Sequence, residues 1–574
     1  MYDVAMHIDI VPNRHSPPAV LLRESYRDGP HVRKRTLANL SALSAAQVDA
    51  MRRTLRGETL VPLADLFEIV HSRHHGHVQA IRIAMTQLGF ESLIASRPSR
   101  DRDLIVAMVM ARIIDPTSKL ATTRWWHATT LPAVLGVADA DENDLYAALD
   151  WLLTRQAHIE KKLAARHLHT GGLVLYDLSS SYFEGTTCPL AARGYSRDGK
   201  SGKLQVNYGL LTDPRGRPVA VSVFAGNTGD PKTLLPQVEK LQKTFAIDQL
   251  VVVGDRGMIS QKQINALKQR EGIEWITALR TGAIRKLVDG GYLQFGLFDQ
   301  RNLFEVTHPD FPGERLVACR NPQLALLRAH KRQSLLDATS RELETVRGMT
   351  VRGTLKGKAA IGVRIGKVVD KYKMSKHVVL DIRDDGFDFH VDDDKVAAEA
   401  ALDGIYVIRT SVPTQRLAAD DVVRSYKMLT QVERAFRSLK TIDIEVRPIR
   451  HRLEDRVKAH IFLCMLAHYV VWHMIESWRE LLFCDEDQQA KTTRDPVAPA
   501  KRSSAALDKV YAKVLDDGTP VHSFQTLLTD LSSIVSNTCR RPGASTAGEP
   551  TFEVVTTPNS TQQRAYDLLK SIHV

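Results

Sequence analysis

Cysteine is scarce and scattered: five in 574 residues, at 188, 319, 464, 484 and 539, with no CxxC pair. An odd, dispersed set excludes a disulfide framework and a zinc module, and it suits a reducing cytosol. The N-terminus, MYDVAMHIDI, lacks the basic-then-apolar pattern of a secretion signal. A long apolar run is also missing. The most apolar stretch, HIFLCMLAHYVVWHM (460–474), holds three His and reads as too short and polar to span a bilayer. The run HSRHHGHV (71–78) has four His but no carboxylate or Cys at matching spacing, so it makes no case for a metal site. No internal repeat is visible. These absences lead to the expectation of a cytoplasmic protein with no membrane partner.

What is present is ordinary globular composition, 43% hydrophobic and 25% charged, over a length that predicts roughly three or four domains. Lys and Arg outnumber Asp and Glu by 78 to 66, for a net charge of +12. From Arg320 to Lys376 there are 14 basic and 4 acidic residues, nearly the whole excess. Such a concentration favours a polyanionic partner, although a solvated charged surface has the same composition.

Taken in order, residues 1–78 form a β-containing N-terminal region, with an alternating pattern broken at Asp28-Gly29 that predicts a hairpin. Its cations Arg23, Arg27, Arg33, Lys34 and Arg35 fit a solvated strand face or a DNA contact equally well. Residues 79–170 show helical periodicity; Arg97, Arg100, Arg102 and Arg112 leave a DNA-reading helical domain and a plain bundle both open. The texture changes at 171–285. Three strands (LVLYDL, KLQVNYGLLTD, RPVAVSVFAG) precede a helix, the apolar strand QLVVVGD, a second helix and the strand IEWITALR. That is the order of a ribonuclease H-like α/β fold. Residues 286–400 interrupt it with a basic, β-rich insertion (YLQFGLF, RNLFEVTH, ERLVACR, HVVLDIRDDGFDFHVD) containing one helix, LALLRAHKRQSLLDATSRELETV. Residues 401–480 resume the core, and 481–574 read as a linker, DEDQQAKTTRDPVAPAKRSS, and a helical C-terminal region.

Within that frame Asp177 and Asp255 each end an apolar strand. After the strand at 401–412, residues 420–440 predict one long helix capped by Asp420 or Asp421, with Tyr426, Glu433 and Lys440 spaced by seven and so on one stripe. Arg437 follows Glu433 by one turn, a spacing that an ordinary amphipathic helix with a Glu-Arg pair also shows. In a ribonuclease H-like sheet the two strand ends are neighbours and a later helix packs across them, so three carboxylates can converge. Converging carboxylates repel unless a cation neutralises them, and hard oxygen ligands suit Mg²⁺ or Mn²⁺.

The pieces YDLSSSYFEG, FAGNTGD, VVVGDRGM, DGIYVIRT, YKMLTQVERAFRSLKT and VRPIRHRLEDRVKAHIFLCML, over about 171–475, resemble the DDE transposases of bacterial insertion sequences. The family's glutamate signature is Y-(2)-R-(3)-E-(6)-K. Tyr426, Glu433 and Lys440 are in register, and Leu429 stands where the Arg is expected, with Lys427 or Arg437 as substitutes. The resemblance implies metal-dependent cleavage at the element's ends and transfer of the freed 3′-hydroxyl into target DNA. It assigns two Mg²⁺ (or Mn²⁺) ions to Asp177, Asp255 and Glu433. It also implies phosphate contacts from Tyr426, Lys440, Arg437 and Arg256, a dimer or larger assembly on double-stranded DNA, and a place at the bacterial nucleoid. Arg450 and Arg452, in a basic cluster with Arg447 and His451, are further DNA-contact candidates.

One competing pattern is GYSRDGKS (194–201), which satisfies G-x4-G-K-S and would suit an ATP-driven DNA-associated protein. A phosphate-cradling loop follows a strand and opens a helix, whereas this one precedes the strand-like GKLQVNYGLL. It reads instead as a basic loop that could touch DNA through Arg197, Lys200 and Lys203. A non-transposing nuclease or DNA-binding descendant of the same fold is a third reading.

Overall fold

The interrupted alternation near the N-terminus forms the expected hairpin. In the computed structural model, β1 (Ala5–Val11), β2 (Ala19–Asp28) and β3 (His31–Asn39) make an antiparallel sheet in that order. Gly29, at φ +62°, takes the left-handed turn position that a side chain disfavours. The structure describes residues 5–14, 16–60, 66–299, 301–485, 487, 489–541 and 550–574. It divides into one unit of residues 1–73 with 535–556 and a second of 74–534 with 557–574. Glu486 and Gln488 of the expected linker lie outside the described residues.

In the first unit the strand cations are mostly spent on neighbours. Lys34 and Arg23 both reach Asp9, at 2.9 and 3.3 Å, Arg35 reaches Glu24 at 2.7 Å and Arg33 reaches Asp28 at 3.0 Å. α1 (Ala45–Leu55) starts at a Ser44/Gln47 capping box. β4 (Glu68–His74) joins a second sheet with the strands Val535–Arg540 and Phe552–Val555. The C-terminal region, expected to be helical, therefore contributes two strands here as well as the helices Ser504–Ala512, Phe524–Ser532 and Ser560–Lys570.

The second unit opens with α2 (Gly76–Gln87), α3 (Arg100–Ile114) and α4 (Glu142–His167). α3 is buried on all sides from Leu104 to Ile113, as befits a core helix. Its Arg100 pairs with Asp139 and Asp144, Arg102 with Asp103, and Arg112 is buried. Next come β5 (Leu173–Tyr182), β6 (Gln205–Thr212), β7 (Pro218–Ala225), α5 (Pro231–Glu239), β8 (Leu250–Val253), α6 (Gln261–Leu267) and β9 (Ile273–Ala278). At the β6–β7 turn Asp213 Oδ1 accepts from the amides of Arg215 and Arg217, at 3.1 and 2.8 Å.

The insertion corrects the expectation of a β-rich domain. Among the described residues only β10 (Leu303–Val306), β11 (Arg315–Arg320) and the hairpin β12 (Val378–Ile382)–β13 (Phe387–Val391) are strands, whereas α7 (Pro322–Val351) has 30 residues and α8 (Lys358–Tyr372) has 15. The alternating YLQFGLF finds no strand partner; it forms a 3-10 turn, Phe295–Asp299, beside a small core that includes Leu293 and Phe298. β10 and β11 extend the main sheet rather than leaving it. With β14 (Ile405–Thr410) the order is β10-β11-β14-β9-β8-β5-β6-β7, in which β5–β8 and β8–β9 are parallel and the other pairs antiparallel.

The expected long helix is two: α9 (Ala419–Lys427) and α10 (Leu429–Arg437), offset at Met428 and ending in a wide turn, Ser438–Ile442. The N-cap is Ala418, and Asp420 and Asp421 lie in the first turn, where they complement the helix dipole without capping it. α11 (Glu454–Ser477), at 24 residues, is longer than its sequence suggested and is long and apolar enough to cross a membrane by length and composition. Its apolar window is 83% buried within the protein, which makes it a core helix.

Several histidines are buried in and around α11. His473, and His167 facing it, are held down to about 3 and His468 to about 4, chiefly by burial. Unfolded histidines titrate near 6.5, so the unfolded chain gains protons first as pH falls. Stability is therefore expected to drop below about pH 6.5, by about 1.4 kcal/mol per pH unit for each such histidine. Melting temperature recorded from pH 7 to 4.5 checks this, and a flat profile over that range would contradict it. His468→Asn, which retains a polar group facing Ser438, should shallow the fall.

Candidate active site

Strand register brings the two aspartates together. β5 and β8 run parallel with Leu175 opposite Val253, and Asp177 and Asp255 each lie two residues further on. α10, an amphipathic helix burying Leu429, Val432, Ala435 and Phe436, packs against β5 and carries Glu433 on its exposed side. Burial pushes the Asp177 carboxyl up to about 7, its own Leu178 amide opposes the rise, and the charges of Asp255 and Glu433 add to it. All three carboxylates thus share one field. Asp255 Oδ1 also accepts from the amides of Gly257 and Met258, at 3.0 and 2.8 Å, so it fixes its own turn.

Tyr426 is half-buried beside them. Burial raises its phenol to about 12, with Asp255, Glu433 and Asp177 adding to the rise and Arg256 opposing it. Arg256 and Arg437 are exposed, as are Arg450 and Arg452 on either side of His451. His451 itself turns inward against Tyr146 and His460 and is held down to about 3 by burial and by the nearby Lys119 and Arg112. Leu429, at the signature's Arg position, is buried, and Lys427 donates to the backbone carbonyls of Pro496 and Val497.

The loop at 194–201 opens no helix; β6 follows it, so it has no helix N-terminus to offer a nucleotide phosphate. Lys200 is exposed. Lys203 lies 3.5 Å from Glu184, and Arg197 binds both oxygens of Asp230 at 2.6 Å. Asp198, not singled out by the sequence, is paired with Lys440 and Arg447. Lys440 does not continue the exposed stripe of Glu433, because the wide turn at Ser438–Ile442 carries it into the interior.

The family described as Transposase DDE domain matches residues 172–470, and the IS1634 family transposase N-terminal domain matches residues 8–61. The chain belongs to the DDE transposase family. It is an insertion-sequence DNA transposase, an enzyme of DNA cleavage and strand transfer. No curated protein matches it. One similar solved structure is a cryo-EM structure of a piggyBac transposase synaptic complex with hairpin DNA, at 9% identity over 79% of each chain. Its TM-score is 0.32, too loose a likeness to carry an argument.

DDE transposases generally use divalent metal ions. Among the described residues no three His, Cys, Asp or Glu side chains close into a ready metal cage. The candidate donor set, Asp177, Asp255 and Glu433, nonetheless fits a hard cation. It is all carboxylate oxygen, and Asp177 is disfavoured as an anion first by burial and then by Asp255 and Glu433, whose charges a divalent cation would offset.

Proposed function

We propose that Asp177, Asp255 and Glu433 are the catalytic carboxylates of this transposase, on a ribonuclease H-like core formed by β5 to β9 with α10 packed across it. The observation that carries the reading is the parallel β5–β8 register, which sets Asp177 and Asp255 abreast under the helix bearing Glu433. The three side chains would hold two Mg²⁺ ions, with Mn²⁺ as a substitute. When bound, such a pair supplies Lewis-acid activation of the attacking hydroxyl and neutralises charge on the scissile phosphodiester. Water is the first nucleophile, at the element's ends, and the freed 3′-hydroxyl is the second, on target DNA. Tyr426 presents a protonated phenol beside the carboxylates, able to donate to a phosphate oxygen. Arg256, next to Asp255, and Arg437, one turn beyond Glu433, are exposed and would orient the strand by its phosphates.

The backbone track extends outward through Lys200, Arg450, Arg452 and the insertion. There Arg328, Lys331, Lys356, Lys358 and Lys367 are exposed with no ion pair among the described residues, and Arg364 is exposed near Glu342. Affinity for DNA should therefore fall steeply with salt. The protein would act at the bacterial nucleoid as a dimer or larger assembly, holding both ends at once.

The test is nicking and strand transfer on a labelled duplex carrying the element's own end, with Mg²⁺ or Mn²⁺. Asp177→Ala, Asp255→Ala and Glu433→Ala should each lose cleavage by at least about a hundredfold while retaining DNA binding. Cleavage that survives Glu433→Ala would remove α10 from the site.

A further inference from the structure

The loop 194–201 is locked between the strand that carries Asp177 and the turn that ends the Glu433 helix. Asp198 is the centre of the lock. Its side chain is 1% exposed, and its Oδ1 lies 2.5 Å from Lys440 Nζ and against the Arg447 guanidinium. Its Oδ2 accepts from the Tyr182 amide of β5 at 3.0 Å. One residue earlier, the Arg197 amide donates to Ser180 Oγ of β5 at 3.1 Å, and its guanidinium binds Asp230. Lys440 itself donates to Ser179 Oγ at 3.2 Å, two residues beyond Asp177. On the other side, the segment after Arg447 runs along the end of β5, where the Ile449 amide donates to the Tyr182 carbonyl at 3.2 Å.

We infer that Asp198 is a positioning residue that, through Lys440 and Arg447, fixes the Glu433 helix against the Asp177 strand, and that Lys440 is engaged in this clasp rather than on a DNA phosphate. With only 10% of its side chain exposed and a carboxylate already on it, Lys440 offers no open face to a backbone phosphate. A carboxylate bridging two cations in the interior is costly to break from either side, because the survivor is left buried and uncompensated. Such a link transmits to metal ligands in the way that groups behind a ligand set its placement. The inference rests on the reading of Asp177 and Glu433 as reacting carboxylates.

The test uses the full chain, with Mn²⁺ binding followed by electron paramagnetic resonance without DNA, and DNA-end binding followed against salt. Asp255→Ala locates the Mn²⁺ signal at the carboxylates. Asp198→Asn and Lys440→Gln should each weaken Mn²⁺ binding roughly 10- to 100-fold. The double variant should be no worse than the poorer single, as for two residues of one link. The salt slope of DNA binding should be unchanged in Lys440→Gln. If Asp198→Asn does not fold, Lys440→Gln and Arg447→Gln carry the same comparison. A Lys440→Gln slope reduced by about one, with Mn²⁺ binding intact, would make Lys440 a phosphate contact and overturn the clasp. Wild-type protein that binds no Mn²⁺ would instead overturn the carboxylate reading itself, a result distinct from variants that bind it as well as wild type.

Discussion

Asp177→Asn is expected to abolish cleavage and strand transfer and, in the metal-free protein above pH 7, to raise the melting temperature. The two effects have one cause. In the fold the Asp177 carboxyl is pushed up to about 7 by burial and by Asp255 and Glu433, against an ordinary value of 3.8. Between those values the folded chain binds the proton that the unfolded chain has lost, so its stability declines as pH rises and the full cost is present above about 7. Asn carries no charge at any pH and escapes that cost. The gain should be about one or two degrees in a chain of this size, shrinking toward zero near pH 4. Added Mg²⁺ or Mn²⁺ should reverse the order, because only the wild-type carboxylate gains from the cation. Differential scanning calorimetry with chelator and with Mn²⁺, at pH 5 and pH 8, reads all four corners. An Asp177→Asn protein that is less stable than wild type in chelator at pH 8 would show that the carboxylate is a structural anchor and not a disfavoured ligand.

Much of the candidate site was legible because its two aspartates end strongly patterned elements. Asp177 closes LVLYD and Asp255 closes LVVVGD, apolar runs that could only be buried strands, and such strands side by side in parallel leave their ends abreast. Glu433 was found through spacing and family signature. What spacing could not convey was the break at Met428 and the wide turn after Arg437, which leave Glu433 exposed and take Lys440 inside. Helical periods do not survive such turns. The insertion was misread for a different reason. In KAAIGVRIGKVVDKY the buried Ile361, Ile365, Val368 and Val369 keep a helical period, but they are β-branched and interleaved with Gly362 and Gly366, both poor helix formers. Packing against α7 and the β12–β13 hairpin decides the matter in favour of helix. Asp198 had no local signature at all, since its partners lie on elements that only the fold brings near.

Glu314→Ala should be among the most damaging single changes outside the carboxylate site, costing about 3–5 kcal/mol. Glu314 is 1% exposed by its side chain, bound to Arg409 of β14 at 2.6 Å and to Lys268 at 3.1 Å. Arg409, 7% exposed, lies over the Phe311 ring and also donates to Gln261 at 3.1 Å, a contact too weak to replace a carboxylate. Truncating Glu314 would therefore strand a guanidinium in the sheet, between Leu316 of β11 and Thr277 of β9. β14 leads directly into α9 and α10, so loosening it frees the elements that hold Tyr426 and Glu433 while β5 and β8 keep Asp177 and Asp255. A lower urea midpoint should thus be accompanied by lost cleavage below the unfolding transition. Removing both charges, as Glu314→Leu with Arg409→Met, should recover most of the stability, because the penalty belongs to the unpaired ion rather than to the missing pair. A midpoint unchanged in Glu314→Ala would mean that water reaches Arg409, and that the edge of the sheet is open in solution.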